Sequence, residues 1–213
     1  MKYNLFLLLL LQTFLLVAQQ DSERHLERYR YDTDGLSISF HQERRVALRE
    51  KMEQNSISVF FANPIKNRSN DVDYEYHQDP NFYYLTGFTE PNAVLVILKD
   101  SVFIDSKWTS EIVWIPERNP SKEVWDGRRL GPELAPDYLG FSMVYPNTKF
   151  DAAMFNWKQY SSVNFIAENV YKTDINSSNQ LLSEMKWSFQ KAIQSKRVKK
   201  NEKQLKVWMS ELR

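Results

Sequence analysis

The sequence contains no cysteine at all. Disulfides, thiolate metal sites, iron–sulfur clusters and cysteine nucleophiles are excluded together. Histidine is scarce too: only His25, His41 and His77 could supply imidazole ligands, and no two of them are close in sequence. Glycine numbers 5 and proline 8 in 213 residues, which excludes collagen-like and low-complexity chains and leaves no glycine-rich loop to cradle a phosphate. Charge of one sign is also missing, with 28 Lys and Arg against 27 Asp and Glu. A net charge of +1 creates no broad field for nucleic acid or an anionic membrane. What the chain does have is aromatic surface, 13 Phe, 11 Tyr and 6 Trp, enough to build the core of an ordinary globular domain.

Lys2 precedes an apolar run from Leu5 to Val17, followed by Ala18 and the polar Gln19, Gln20 and Asp21. This is the layout of a secretory signal, and the spacing predicts cleavage near Ala18 and a mature protein exported to a periplasmic or extracellular space. The rival reading, a membrane anchor, requires ~20 apolar residues. Residues 1–18 are therefore read as signal peptide and 19–39 as a charged, mobile lead-in. Residues 40–200 are read as the domain and 201–213 as an amphipathic helix after it, expected to connect to whatever the domain adjoins. No membrane contact is expected after cleavage. Asn67-Arg68-Ser69 and Asn176-Ser177-Ser178 fit the glycosylation pattern, a motif short enough to arise by chance.

Ser39 followed by Gln42 reads as a capping box and predicts a helix near 40–54. Ile57–Ala62, Phe82–Thr86, Ala93–Leu98, Val102–Asp105 and Glu111–Ile115 read as strands, separated by turn residues. Lys149–Tyr160 reads as a helix, Val163–Ala167 as a further strand, and Asn176 as the cap of a long helix. That helix carries Leu181, Leu182, Met185, Phe189, Ala192 and Ile193 at three- and four-residue spacing, a core-packing stripe. Leu205, Trp208, Met209 and Leu212 form a second stripe, which ends at Arg213 without a capping signal and is expected to be exposed unless something covers it. The basic run Lys196, Arg197, Lys199 and Lys200 reads as a solvated face beside a helix end.

The densest polar stretch runs from Arg68 to Asp79, with four carboxylates and one imidazole. It lacks the central Gly and terminal Glu of a calcium loop and the paired His of a zinc helix. The better reading is a structural loop whose acids cap turns. No Gly-x-Ser-x-Gly elbow is present. In Glu123-Val124-Trp125-Asp126-Gly127-Arg128-Arg129, a Trp among turn-forming residues could offer a flat face to a peptide, or it could simply be tucked into the core.

The run RSNDVDYEYHQDPNFYYLTGFTEPNAVLVI, residues 68–97, followed by EVWDGRRLG, residues 123–131, resembles the amino-terminal domain of Xaa-Pro aminopeptidases of the aminopeptidase P family. Arg68-Ser69, Asp71, Tyr74, Tyr76, Phe82-Tyr83-Tyr84, Thr86-Gly87-Phe88, Glu90-Pro91 and Trp125-x-Gly-Arg-Arg agree in order. The resemblance implies an α/β domain, a mixed β-sheet flanked by helices, as in the creatinase and aminopeptidase P amino-terminal domains. It implies a partner as well: a catalytic metallopeptidase domain holding two divalent ions, usually manganese, by two Asp, one His and two Glu. None of those ligands is recognisable here, so no catalytic residue and no metal ligand is assigned to this chain, and alone it is expected to be inactive.

By the same resemblance the amino-terminal domain makes homo-oligomer contacts and narrows the way in for peptides with proline second. Trp125 matches a family Trp that lies against substrate in a neighbouring subunit, and Asp71 matches an acid in the polar network there. A family Arg that joins this network aligns with Lys206, whose point charge cannot replace a planar fork. The alternative is a stand-alone oligomerising or peptide-binding module without peptidase activity. In that case the stripe from Leu205 to Leu212 would be buried between copies.

Overall fold

The computed structural model describes residues 36–171, 177–194 and 197–213. The stretch read as a signal peptide, most of that read as a lead-in, Asn176 and Lys196 lie outside the described residues. Helix α1 (Ile38–Lys51) opens on Ser37, whose hydroxyl accepts from Phe40 N at 3.2 Å. The cap thus sits two residues before the Ser39 that the sequence suggested.

Strand β1 (Ser56–Phe61) is buried at every position, which requires cover on both faces. It pairs antiparallel with β4 (Val94–Ile104) on one side and parallel with β7 (Ser162–Asn164) on the other. β5 (Lys107–Ile115) returns antiparallel along β4, and β6 (Val144–Pro146) joins β5 in parallel. β8 (Lys200–Asn201) completes a six-stranded mixed sheet of order β6-β5-β4-β1-β7-β8. Both edges are two or three residues long, and one carries Pro146, so neither offers a long template for strand addition. β2 (Asn67–Ser69) and β3 (Val72–Asp73) form a separate two-stranded hairpin.

Alternation divides the core. Ile57, Val59 and Phe61 of β1, with Val96, Ile112 and Trp114, pack on the face covered by α6 (Gln180–Ala192), through Leu182, Met185 and Phe189. The opposite face carries α1, α2 (Pro80–Thr86) and α4 (Gly131–Leu139). There Arg45 of α1 is fully buried. Its guanidinium forms a fork with Glu111 at 2.9 and 3.1 Å, donates to Leu85 O and Gly140 O at 2.8 and 3.2 Å, and lies over the Phe141 ring at 3.9 Å. One side chain therefore ties α1 to the sheet, to α2 and to the end of α4.

Five expected elements take a different form. Phe82–Thr86, expected as a strand, lies in α2. Asp79 accepts from Asn81 N and Phe82 N at 2.9 Å, Pro80 sits in the first turn, and Gly87 at φ 68° stops the helix. Those start and stop signals outweigh the aromatic run between them. Lys149–Tyr160 is no α-helix but belongs to a series of three short 3₁₀ turns, at Asn147–Lys149, Ala152–Met154 and Trp157–Gln159. Its buried residues Phe150, Ala152, Phe155, Trp157 and Tyr160 are spaced by two and three, a rhythm no single helical face can follow. Ala93–Leu98 and Val102–Asp105 are one strand, β4, with a register shift between Ile97 and Val102. Val163–Ala167 is shorter in the sheet than expected, and Ala167 begins α5 (Ala167–Tyr171).

The last helix, α7 (Gln204–Glu211), buries Leu205, Trp208 and Met209 against its own domain, so this stripe is not the free surface the sequence led us to expect. Tyr84 donates to Leu212 O at 2.5 Å, and Lys51 pairs with Glu211 at 2.8 Å.

Lys186 of α6 is 1% exposed, a position the apolar stripe did not foretell. It donates to Asn169 O at 2.5 Å, and Asn169 in turn donates to Asp79 at 3.1 Å. Burial lowers the Lys186 ammonium to about 8, while the Asp79 charge opposes that shift. The folded chain therefore releases this proton before the unfolded chain does, and the Lys186 contribution makes folding more favourable as pH rises from about 8 toward about 10.5. Urea unfolding is expected to show this as a slope approaching ~1.4 kcal/mol per pH unit. The slope should disappear in Lys186→Met, and a variant that keeps it would refute the assignment.

Candidate functional site

Two short segments, each with little core of its own, flank an open cleft of about 810 Å³. The first is the β2–β3 hairpin, every residue of whose strands is exposed. Asn70 turns it at φ 50°, and the Asn67 amide donates to Asn70 O, Val72 O and Asp73 Oδ1 at 3.1, 3.3 and 3.1 Å. This Asn67, the first of the two glycosylation motifs, thus spends its amide inside the hairpin. Asp71 is exposed beside the turn.

The second segment is α3 (Pro120–Asp126). Pro120 occupies its first turn, and the Asn119 side chain accepts from Lys122 N at 3.3 Å. From Glu123 the carboxylate meets Arg118 in a two-pronged pair at 3.0 and 2.8 Å. Those bonds hold the Glu123 carboxyl below the usual range. With the helix clasped this way, Val124 and Trp125 project outward, 78% and 87% exposed. Trp125 is therefore not a core residue, the outcome that composition alone favoured for an aromatic.

Asp73, Tyr74 and Tyr76 face the cleft from the hairpin side, and Lys122, Glu123 and Arg129 from the α3 side. Asp71 and Trp125 do not line its wall; each stands within three residues of one that does. The Tyr76 hydroxyl shares its one hydrogen between Asn63 O at 3.1 Å and Gln78 Oε1 at 3.0 Å, and burial pushes its phenol above the ordinary range. Lys206 is elsewhere, on α7, where it meets Glu168 at 3.4 Å with both side chains exposed. Asp79, the last acid of the polar stretch, caps α2. Among the described residues no group of three or more His, Asp or Glu side chains could hold a metal ion, so these residues do not fit a dinuclear site.

The family described as "Aminopeptidase P, N-terminal domain" matches residues 41–165. This chain belongs to that family.

Among its relatives is an Xaa-Pro aminopeptidase of Haemophilus influenzae, 39% identical over 109 residues, a stretch covering 51% of this chain and 24% of the relative. That of Escherichia coli is 35% identical over 130 residues, covering 61% of this chain and 29% of the relative. Aminopeptidase P from E. coli, solved with the inhibitor Pro-Leu, superimposes with a TM-score of 0.54 at 27% identity, covering 75% of this chain and 34% of that one. The Pseudomonas aeruginosa aminopeptidase PepP gives 0.57 at 27% identity, with 76% and 34% covered. The chain spans about a quarter of the length of these curated relatives and about a third of the solved structures. The mixed sheet flanked by helices is the fold of the aminopeptidase P amino-terminal domain.

Proposed function

We propose that this domain is the non-catalytic part of an exported Xaa-Pro aminopeptidase, bordering the substrate entrance of a catalytic domain that carries two divalent ions, manganese by family resemblance. Trp125 carries the reading. An indole 87% exposed on a helix clasped by Arg118 and Glu123 is a flat apolar plate that the described residues leave uncovered. Such a plate suits a proline ring or a peptide backbone, and Asp71, exposed on the facing hairpin, can take the positive amino terminus of a peptide. Exposed apolar surface of this kind also suits contact with a second copy, in which Trp125 of one subunit borders the entrance of another. Export is supported by Lys2 and the apolar run that follows it.

In this reading the partner domain performs the hydrolysis and this domain shapes the way in. The purified chain, given an Xaa-Pro peptide and manganese, is expected to show no turnover above buffer. Sustained hydrolysis abolished by a chelator would overturn the assignment.

A further inference from the structure

Neither the hairpin nor α3 is held by a core of its own, since β2 and β3 expose every residue and α3 has no fully buried side chain among those described. A two-stranded hairpin by itself is marginal, so its position is set by what grips its base. Gln78 grips it. Its Oε1 accepts from Asn63 N at 3.1 Å, from Asp79 N at 2.9 Å and from the Tyr76 hydroxyl at 3.0 Å. Its Nε2 donates to Glu90 O at 2.8 Å. One amide thereby joins the exit of β1, the arm descending from the hairpin, the start of α2 and the turn before β4.

Glu90 carries the connection onward. It is 2% exposed, and its Oε1 accepts from Leu130 N at 2.8 Å, in the loop that follows α3. One residue earlier, Arg129 N reaches Glu123 of α3 at 3.4 Å. A backbone N–H buried with its carboxyl acceptor is costly to leave unpaired. A continuous path thus runs from Tyr76 through Gln78 and Glu90 to Leu130, and through the adjoining Arg129 to Glu123.

We propose that Gln78 and Glu90 are positioning residues of the entrance, which together fix the hairpin carrying Asp71 relative to the helix carrying Trp125. The functional meaning rests on the reading given above, but the mechanical statement can be tested without any hydrolysis. Because the chain has no cysteine, Val72→Cys and Val124→Cys give a doubly spin-labelled protein with no background label. Pulsed electron–electron resonance is expected to return one narrow distance distribution. Gln78→Ala and Glu90→Leu should widen it by roughly a factor of two. Glu90→Gln, which retains an acceptor for Leu130 N, should keep it narrow.

A purely structural role would lower the melting temperature and leave the width unchanged. Parental width in folded Gln78→Ala and Glu90→Leu therefore overturns the proposal, as does equal broadening in Glu90→Gln and Glu90→Leu. Should the two disruptive variants fail to fold, amide exchange in the unaltered domain decides. Leu130 N–H is expected to be protected to the same degree as Asn63 and Asp79, and fast exchange at Leu130 overturns the proposal. The entrance reading itself stands or falls on turnover in Trp125→Ala, so either statement can fail alone.

Discussion

Trp125→Ala, made in a polypeptide that also carries the catalytic domain, is expected to lower kcat/KM for an Xaa-Pro peptide roughly a hundredfold. The melting temperature of this domain should stay where it was. A side chain 87% accessible contributes little to folding, so its removal leaves the core, the sheet and the Arg118–Glu123 clasp unchanged. If the indole lies against substrate, the same deletion strips a large desolvated contact from the bound peptide, and Trp is the residue type whose loss weakens contacts most. Trp125→Phe keeps a flat apolar face and should recover much of the lost rate. Unchanged kcat/KM in a folded Trp125→Ala protein would remove the residue from the entrance.

Arg45→Met is expected to do the reverse, with a large loss of stability at a residue that does not line the cleft. The fork to Glu111 and the bonds to Leu85 O and Gly140 O vanish together, leaving a mostly buried carboxylate with only the longer Arg49 contact at 3.7 Å. Breaking a buried pair from one side costs about 3–5 kcal/mol. For a domain of this size the midpoint of thermal unfolding should fall by roughly 10 °C. Adding Glu111→Leu to Arg45→Met should recover part of the loss, because the orphaned charge goes as well. If Arg45→Met unfolds within about 1 kcal/mol of the parent, the guanidinium is not the tie that its bonds suggest.

The sequence made the outer logic of the domain legible wherever a rhythm was long enough. The stripe from Leu181 to Ile193 announced α6, and the β-branched run from Ile57 announced a buried strand. Composition misled at Phe82–Thr86, because three aromatics in a row suit a strand, and the decisive signals, Asp79-Pro80 before them and Gly87 after, lie outside the run. Trp125 and Asp71 came from resemblance. Residue chemistry alone left the Trp open between core and surface, and only the short, clasped α3 places it outside. Gln78 and Glu90 gave no signal of a positioning role. Glu90-Pro91 stood among matched residues without one, and Gln78 looked like one polar residue in a polar loop. Their importance comes from partners up to forty positions away, which no local pattern encodes. Lys186 escaped notice for a similar reason, since a lysine on a helix is expected to face water.

The placing of β1 in the middle of the sheet governs how the domain can be made. Its first residues emerge early in synthesis, yet Ile57 must meet Val163, more than a hundred residues downstream, before both of its edges are satisfied. Until that happens the strand keeps an open edge, and pairing with β4 alone leaves half of its backbone exposed. A topology of such distant partners folds slowly. A nascent chain shorter than β7 would accordingly be a substrate for chaperones, and shortening from the carboxyl end should abolish folding well before it reaches the α3 helix.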